Sequence, residues 1–478
     1  MPMRTKFSKS IAARACVTGV FATFYLNSAW AILPIEQWQQ PSGAQVWLVH
    51  SPSIPMVDVQ LRLDGGSRRD PQGQEGLATA VALMASQGVQ ALPGQPASTA
   101  LDENALGQAW ADLGASLTVG ASNDALSYHL RSLTQPDVLA PAAQLASRQI
   151  AQPSWSASVW QRERQRWAAA LQEAATRPGT VAAQAFAPAV YSGHPYGRFT
   201  TPTSLEQITL PDMQAFHQQV VQACRAKVAV VGALDKAQAD ALVTQLLQRL
   251  PAQKDCPPLP AVPEVPPLTQ AQDIRIPFAS AQAQILLGQP GIQRRDPDFF
   301  ALLLGDHILG GGGFTSRLME EVREKRGLTY GISSDMAPGL HAGAFTIGLK
   351  TRPDQAEEAL ALTRQVLRDF VAQGPTEEEL RAAKDNLIGG FALRLDSNQK
   401  LLGNVMNIAW NDLPLDYLEH WTHRLEAVTR EQVHAALQRH WQPDRLVTVV
   451  LGASSDPAMA PASASPTPIP PDLQKEAP

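Results

Sequence analysis

Apolar and polar residues alternate along Val57-Asp58-Val59-Gln60-Leu61-Arg62-Leu63, the period of two expected of a strand with one buried face. Two β-branched runs, Val228-Ala229-Val230-Val231-Gly232 and Val447-Thr448-Val449-Val450-Leu451-Gly452, predict further strands. Elsewhere the apolar stretches are helical, over residues 76–84, 299–309 and 375–393. In the last of these, Thr376 precedes Glu377-Glu378-Glu379, a capping signal at a helix start. Strands mixed with long helices predict an α+β fold, with helices packed on one face of a mostly antiparallel sheet.

The pattern occurs twice. Ser67-Arg68-Arg69-Asp70-Pro71 stands before the first apolar helix, and Arg294-Arg295-Asp296-Pro297 stands before the second. Leu130-Arg131-Ser132-Leu133-Thr134-Gln135-Pro136-Asp137 and Leu349-Lys350-Thr351-Arg352-Pro353-Asp354 each open a later helix. Ile208-Thr209-Leu210-Pro211-Asp212 and Val428-Thr429-Arg430-Glu431 each lead through a helix to one of the β-branched strands. Three pairs in one order, offset by roughly 220 residues, predict two homologous α/β units, 32–249 and 268–453. Between them, residues 250–267 hold seven prolines and read as a stiff linker. The Ala/Ser/Pro-rich stretch 454–478 is predicted to be a disordered tail.

Composition supports a globular chain: of 478 residues, 44% are apolar and only 17% charged. A net charge of −5 with no basic block offers nucleic acid no electrostatic footprint. Residues 1–31 combine a basic start, an apolar run over 15–26 and the ending Ala29-Trp30-Ala31, the form of a secretory signal cleaved after Ala31. That run is too short to span a bilayer, so export without stable membrane insertion is expected. Three cysteines exclude a disulfide framework and a four-thiolate zinc site. Cys224 and Cys256 remain after cleavage; an oxidising compartment permits their pairing, and two unlinked thiols are equally compatible with the sequence.

Candidate chemistry concentrates in residues 309–331. The run Gly310-Gly311-Gly312-Gly313 is not followed by Gly-Lys-Ser/Thr, so it is no phosphate cradle. It reads as a flexible loop, followed by a charged helix over 316–326, a stop at Gly327 and a strand from Thr329. His420, His423, His434 and His440 offer a formal metal reading, but no converging carboxylate or cysteine set accompanies them in the sequence. No Gly-x-Ser-x-Gly elbow or nucleophile triad is present.

Ser316-Arg317-Leu318, Arg323-Glu324-Lys325-Arg326-Gly327-Leu328-Thr329-Tyr330 and Thr376-Glu377-Glu378-Glu379-Leu380 resemble the second half of the pitrilysin family, which includes insulysin, the mitochondrial processing peptidases and the bc1 core proteins. Gly193-His194-Pro195-Tyr196-Gly197-Arg198 resembles its first half. The resemblance implies an inverted zinc motif, His-x-x-Glu-His, on the helix over 73–84, because histidines four apart share a helix face and the glutamate activates metal-bound water. Here Thr79 and Leu83 stand at the ligand positions and Ala82 at the base. The region of the third ligand keeps Glu163 but places Ala170 where that ligand belongs. No zinc and no other cofactor is therefore expected in this chain.

The resemblance also implies a role for Arg323 and Tyr330, whose seven-residue spacing matches an arginine and tyrosine that bind the substrate backbone and the oxyanion over a zinc held by the opposite half or subunit. The plainer alternative pairs Arg323 with a neighbouring carboxylate and packs Tyr330 at a strand end. By resemblance, the expected function is the non-metal subunit of an exported, periplasmic metallopeptidase. It would close a clam-like chamber over a homologous zinc-bearing partner, as heterodimer or heterotetramer, and act on peptides or unfolded protein. The glycines 310 to 313 would bend toward substrate. An inert structural or peptide-binding protein, like the bc1 core subunits, is the other expectation.

Overall fold

The computed structural model describes residues 34–91, 99–251 and 255–452. The predicted signal segment 1–31 and tail 454–478 lie outside them. Eleven of the strands build two sheets. The first comprises β1 (Glu36–Gln39), β2 (Gln45–His50), β3 (Met56–Leu63), β6 (Ser116–Ala121), β7 (Leu126–Leu133) and β8 (Lys227–Gly232), while β4 (Gly88–Val89) and β5 (Leu101–Asp102) form a separate short pair. The second comprises β9 (Gln272–Ile276), β10 (Ala283–Pro290), β11 (Ile332–Met336), β12 (Ala344–Thr351) and β13 (Val447–Leu451).

Strand order repeats between the sheets. The first runs β1-β2-β8-β3-β7-β6 and the second β9-β13-β10-β12-β11, so β2, β8, β3, β7 and β6 answer to β9, β13, β10, β12 and β11. Each sheet has one parallel pair at the corresponding place, β2 with β8 and β13 with β9, and is otherwise antiparallel. The alternation read along residues 57–63 is realised in β3: Val57, Val59, Leu61 and Leu63 are buried while Gln60 and Arg62 are partly exposed. Asp58 breaks it by being buried as well, where it accepts hydrogen bonds from Arg131.

The two halves exchange helices. The helix Pro178–Tyr191, from the first half, packs on β10 and β13 of the second sheet, placing Ala182, Phe186 and Val190 in one core with Val447, Val449 and Leu451. The helix Asn398–Trp410, from the second half, packs on β8 and β3 of the first sheet. Lys227 of β8 fixes its end, donating to the Ala409 carbonyl at 2.7 Å and to Asp412 at 2.5 Å. Gly288 in β10 makes the first contact possible, since a Cβ there would lie 2.3 Å from the Phe345 carbonyl oxygen and 2.6 Å from Phe186 Cζ.

The proline-rich segment between the sheets is fastened at several points. Pro260 accepts from Arg69, Glu264 accepts from the Ala342 N–H at 2.8 Å and from Gln293 at 2.6 Å, and Val265 is buried. Cys224 and Cys256 form a disulfide, which resolves the two alternatives left open by the sequence. Among the described residues, no helix is long and apolar enough to cross a membrane.

Candidate functional site

The segment expected to be a flexible glycine loop is largely helical. The helix Phe299–Asp306 continues into a wide π-turn, His307–Gly311, closed by the Gly312 N–H on the His307 carbonyl at 2.8 Å. Gly310 is buried because the chain passes Ser334 of β11 closely; a Cβ would sit 2.4 Å from the Ser334 nitrogen. Only Gly313 takes a positive φ, +66°, before a short turn over Gly313–Thr315. The charged helix expected over 316–326 is a second π-turn, Met319–Glu324, closed by the Lys325 N–H on the Glu320 carbonyl at 2.9 Å. Such wide turns cluster at functional sites. Gly327 has φ +63°, as expected of a helix stop, but the strand starts at Ile332 rather than Thr329.

The delay has a cause that exposes Tyr330. Thr329 Oγ1 donates into the end of β12, to the Lys350 carbonyl at 2.6 Å, while Thr351 Oγ1 donates to the Leu328 carbonyl. Leu328 is thereby buried and Tyr330 projects outward, 86% exposed. Arg323 lies beside it: its guanidinium carbon is 5.4 Å from the Tyr330 ring centre and 4.7 Å from that of Phe314, within cation–π range of both. Arg323 also pairs with Glu324 at 2.9 Å. Phe314 is 71% exposed and was not singled out in the sequence; an aromatic residue directly after four glycines is the signal that marks it. Tyr330 borders a cavity of ≈ 480 Å³ that draws Gly179 and Ala182 from the first half and Gln284 and Lys350 from the second.

A clamp holds this region from behind. Arg317 donates to both oxygens of Glu379, and Glu379 also accepts from the Thr376 N–H at 2.7 Å, completing the capping box predicted at this helix start. Burial raises the Glu379 carboxyl, but the hydrogen bonds from Arg317 and Thr376 outweigh it and hold the group below its ordinary range.

The positions that the resemblance sets against a zinc motif contain no metal donor set. Thr79 is exposed on the helix Leu77–Met84, Ala82 is buried, and Leu83 packs half-buried against the same core as Trp167, Ala168 and Leu171. Ala170 is exposed on the helix Ala157–Ala174. Glu163 is buried but engaged by Arg162 at 2.8 Å and Arg166 at 3.1 Å. A hydroxyl, two methyl groups and an isobutyl group cannot supply the imidazoles and carboxylates that zinc requires.

One expectation is corrected. The sequence places no carboxylate set beside its C-terminal histidines, yet the fold brings Asp296 and Asp298 to His440. Asp298 is already bound by Arg439 and by His440 Nε2 at 2.7 Å, and Asp296 accepts the Asp298 N–H at 2.8 Å. The trio sits at a helix start where, of the two carboxylates, only Asp298 is ion-paired among the described residues, and His440 lies some 140 positions from them in the chain.

Comparison with known proteins decides the family. Residues 207–387 match the family profile described as the Peptidase M16 inactive domain. The crystal structure of a peptidase M16 inactive domain from Pseudomonas fluorescens superimposes with a TM-score of 0.81 at 34% identity, covering 88% of this chain and 98% of that one. The chain belongs to the M16, or pitrilysin, peptidase family. Among M16 relatives, an uncharacterised zinc protease of Mycobacterium leprae is 28% identical over 275 residues, 55% of this chain and 60% of that protein. The chain thus spans about three-fifths of that relative's length. The non-peptidase homolog YmxG of Helicobacter pylori is 22% identical over 424 residues, 86% of this chain and 93% of that one. Within that family, residues 207–387 form an inactive-type M16 domain.

Proposed function

We propose that this chain is the metal-free subunit of an exported two-chain M16 peptidase. Its units 32–249 and 268–453 together close one side of a clam-like chamber, and a homologous zinc-bearing partner closes the other as heterodimer or heterotetramer. Arg323 and Tyr330 complete the partner's site, the guanidinium and phenol supplying donors toward the charge that develops on the scissile carbonyl of a peptide or unfolded chain. The observation that carries the reading is the presentation of Tyr330, held clear of the fold with Arg323 beside its ring at the mouth of a cavity shared by both halves. Export to an oxidising compartment, the periplasm, is supported by the Cys224–Cys256 disulfide together with the signal-like residues 1–31.

The test is reconstitution with a zinc-bearing homologue, followed by metal analysis of each chain. The isolated chain is expected to carry no zinc and to cleave no peptide. In the reconstituted pair, Arg323→Ala or Tyr330→Phe is expected to lower kcat by about 10²-fold with assembly unchanged. Chelator-sensitive hydrolysis by the isolated chain would defeat the proposal. Unchanged turnover in both variants would favour the inert structural or peptide-binding reading, which the engagement of Arg323 by Glu324 and two aromatic rings also suits.

A further inference from the structure

The two occurrences of Arg-Arg-Asp-Pro stand in opposite electrostatic states. In the first, Arg68 is buried and fully compensated, reaching Asp64 at 2.6 Å and Asp124 at 2.9 Å, while Arg69 binds Asp64 at 2.5 Å. In the second, Pro290 stands four residues before Arg294, where Asp64 stands before Arg68. Arg294 is nonetheless only 9% exposed. It donates to the Tyr417 hydroxyl at 2.7 Å and lies 3.8 Å from the Phe299 ring centre. Among the described residues, no carboxylate forms an ion pair with Arg294, with Arg295 or with Arg424.

All three arginines line one cavity of ≈ 580 Å³, walled on its apolar side by Phe300, Tyr417 and Val428. Three carboxylates also border it. Asp298 is bound by Arg439 and His440, and Asp412 by Lys227, which leaves Asp296 as the one carboxylate outside an ion pair. The cavity therefore offers three uncompensated guanidiniums against one such carboxylate. A guanidinium withdrawn from water with only rings and a phenol for company gains strongly from an arriving anion, and its planar fork suits a carboxylate. The size and the aromatic wall suit an apolar body attached to it.

We propose that this cavity is a binding site for an amphipathic carboxylate, with the carboxylate on Arg294 and Arg295 and an aromatic or branched body against Phe300 and Val428. The assignment is independent of the peptidase reading. Its ligand chemistry is shared by small aromatic acids and by the C-terminal residue of a peptide.

Calorimetric titration of the full chain distinguishes them, with four probes: 4-phenylbutyrate, N-acetyl-Ala-Ala-Phe, the amide of that tripeptide, and inorganic phosphate. At least one of the two carboxylates is expected to bind with Kd below about 1 mM. The amide and phosphate are expected to bind at least about tenfold more weakly. Binding of the tripeptide acid alone identifies a peptide terminus as the source, and binding of phenylbutyrate alone a small acid. Arg295→Ala and Arg424→Ala, at more accessible positions than Arg294, are each expected to weaken binding about tenfold while leaving the circular dichroism spectrum unchanged. Failure of both carboxylates to bind, equal binding of acid and amide, phosphate binding as tight as the acids, or full affinity in both variants would overturn the assignment.

Discussion

Arg317 and Glu379 face one another across 62 residues and share two parallel hydrogen bonds, Nε to Oε1 at 2.5 Å and Nη2 to Oε2 at 2.7 Å. The same carboxylate caps the helix Glu377–Gly389 through the backbone N–H and hydroxyl of Thr376. One side chain therefore ties a helix start to the turn that carries Arg323.

Removing it breaks both ties. Glu379→Ala is expected to lower stability by about 2–3 kcal/mol, the sum of a lost cap and a lost charged pair. Because the folded carboxyl titrates below its ordinary value, its contribution is complete above the unfolded pKa and disappears as pH falls through the folded one. Urea melts of parent and variant should differ most at pH 7 and draw together as pH falls below the ordinary glutamate value of about 4.3.

Asp306 carries the opposite sign. Burial, helped by the charge of Asp335 and opposed by a hydrogen bond from Ser334, pushes its carboxyl from 3.8 up to about 6, and its Oδ1 has no hydrogen-bond partner. Between those values the folded chain holds a proton that the unfolded chain has released, so stability falls as pH rises through this window, by up to about 3 kcal/mol. Asp306→Asn should be more stable than the parent at pH 7.5, with the advantage shrinking toward pH 4. A parent that is more stable at pH 7.5 than at pH 5 relative to the variant would contradict this.

The Cys224–Cys256 bond joins residues 32 apart and anchors the proline-rich segment beside the first sheet. Cys256→Ser is expected to lower stability by about 3 kcal/mol, and reducing agent should lower the melting temperature of the parent but not of the variant.

Gly288 tests the helix exchange. Gly288→Ala sets a methyl against the Phe345 carbonyl and Phe186 Cζ, and a cost of about 3 kcal/mol or more is expected in thermal unfolding. Adding Phe186→Ala relieves only the side-chain clash, so the double variant should remain destabilised by the backbone contact.

What the sequence made legible was local or repeated. The Thr376 capping box and the stop at Gly327 depend on a few neighbouring residues, and the two-fold strand pattern was visible because its pieces recur in one order. What it concealed was set by distance. Apolar faces on the helices 178–191 and 398–410 do not say which sheet each will cover, and Asp298 meets His440 only after 142 residues of chain have folded back. The Gly310-to-Gly313 run misled for a related reason: glycine at 310 and 311 answers to close packing on Ser334 and Asp306, a cause that looks like looseness when the neighbour is unseen. Within the candidate site, Arg323 and Tyr330 were suggested by the family resemblance and lie side by side in the fold, whereas Phe314 and the Arg317–Glu379 clamp emerged only with the fold.

Because each half completes the other's core with a helix of its own, neither half could cover its sheet alone. Carrying both halves on one chain makes their meeting intramolecular, where a short tether supplies an effective concentration in the millimolar range. The proline-rich stretch between the sheets, fastened at Pro260, Glu264 and Val265, would be that tether. An isolated first half, lacking the helix Asn398–Trp410, would present the bare faces of β8 and β3 to any apolar surface it met.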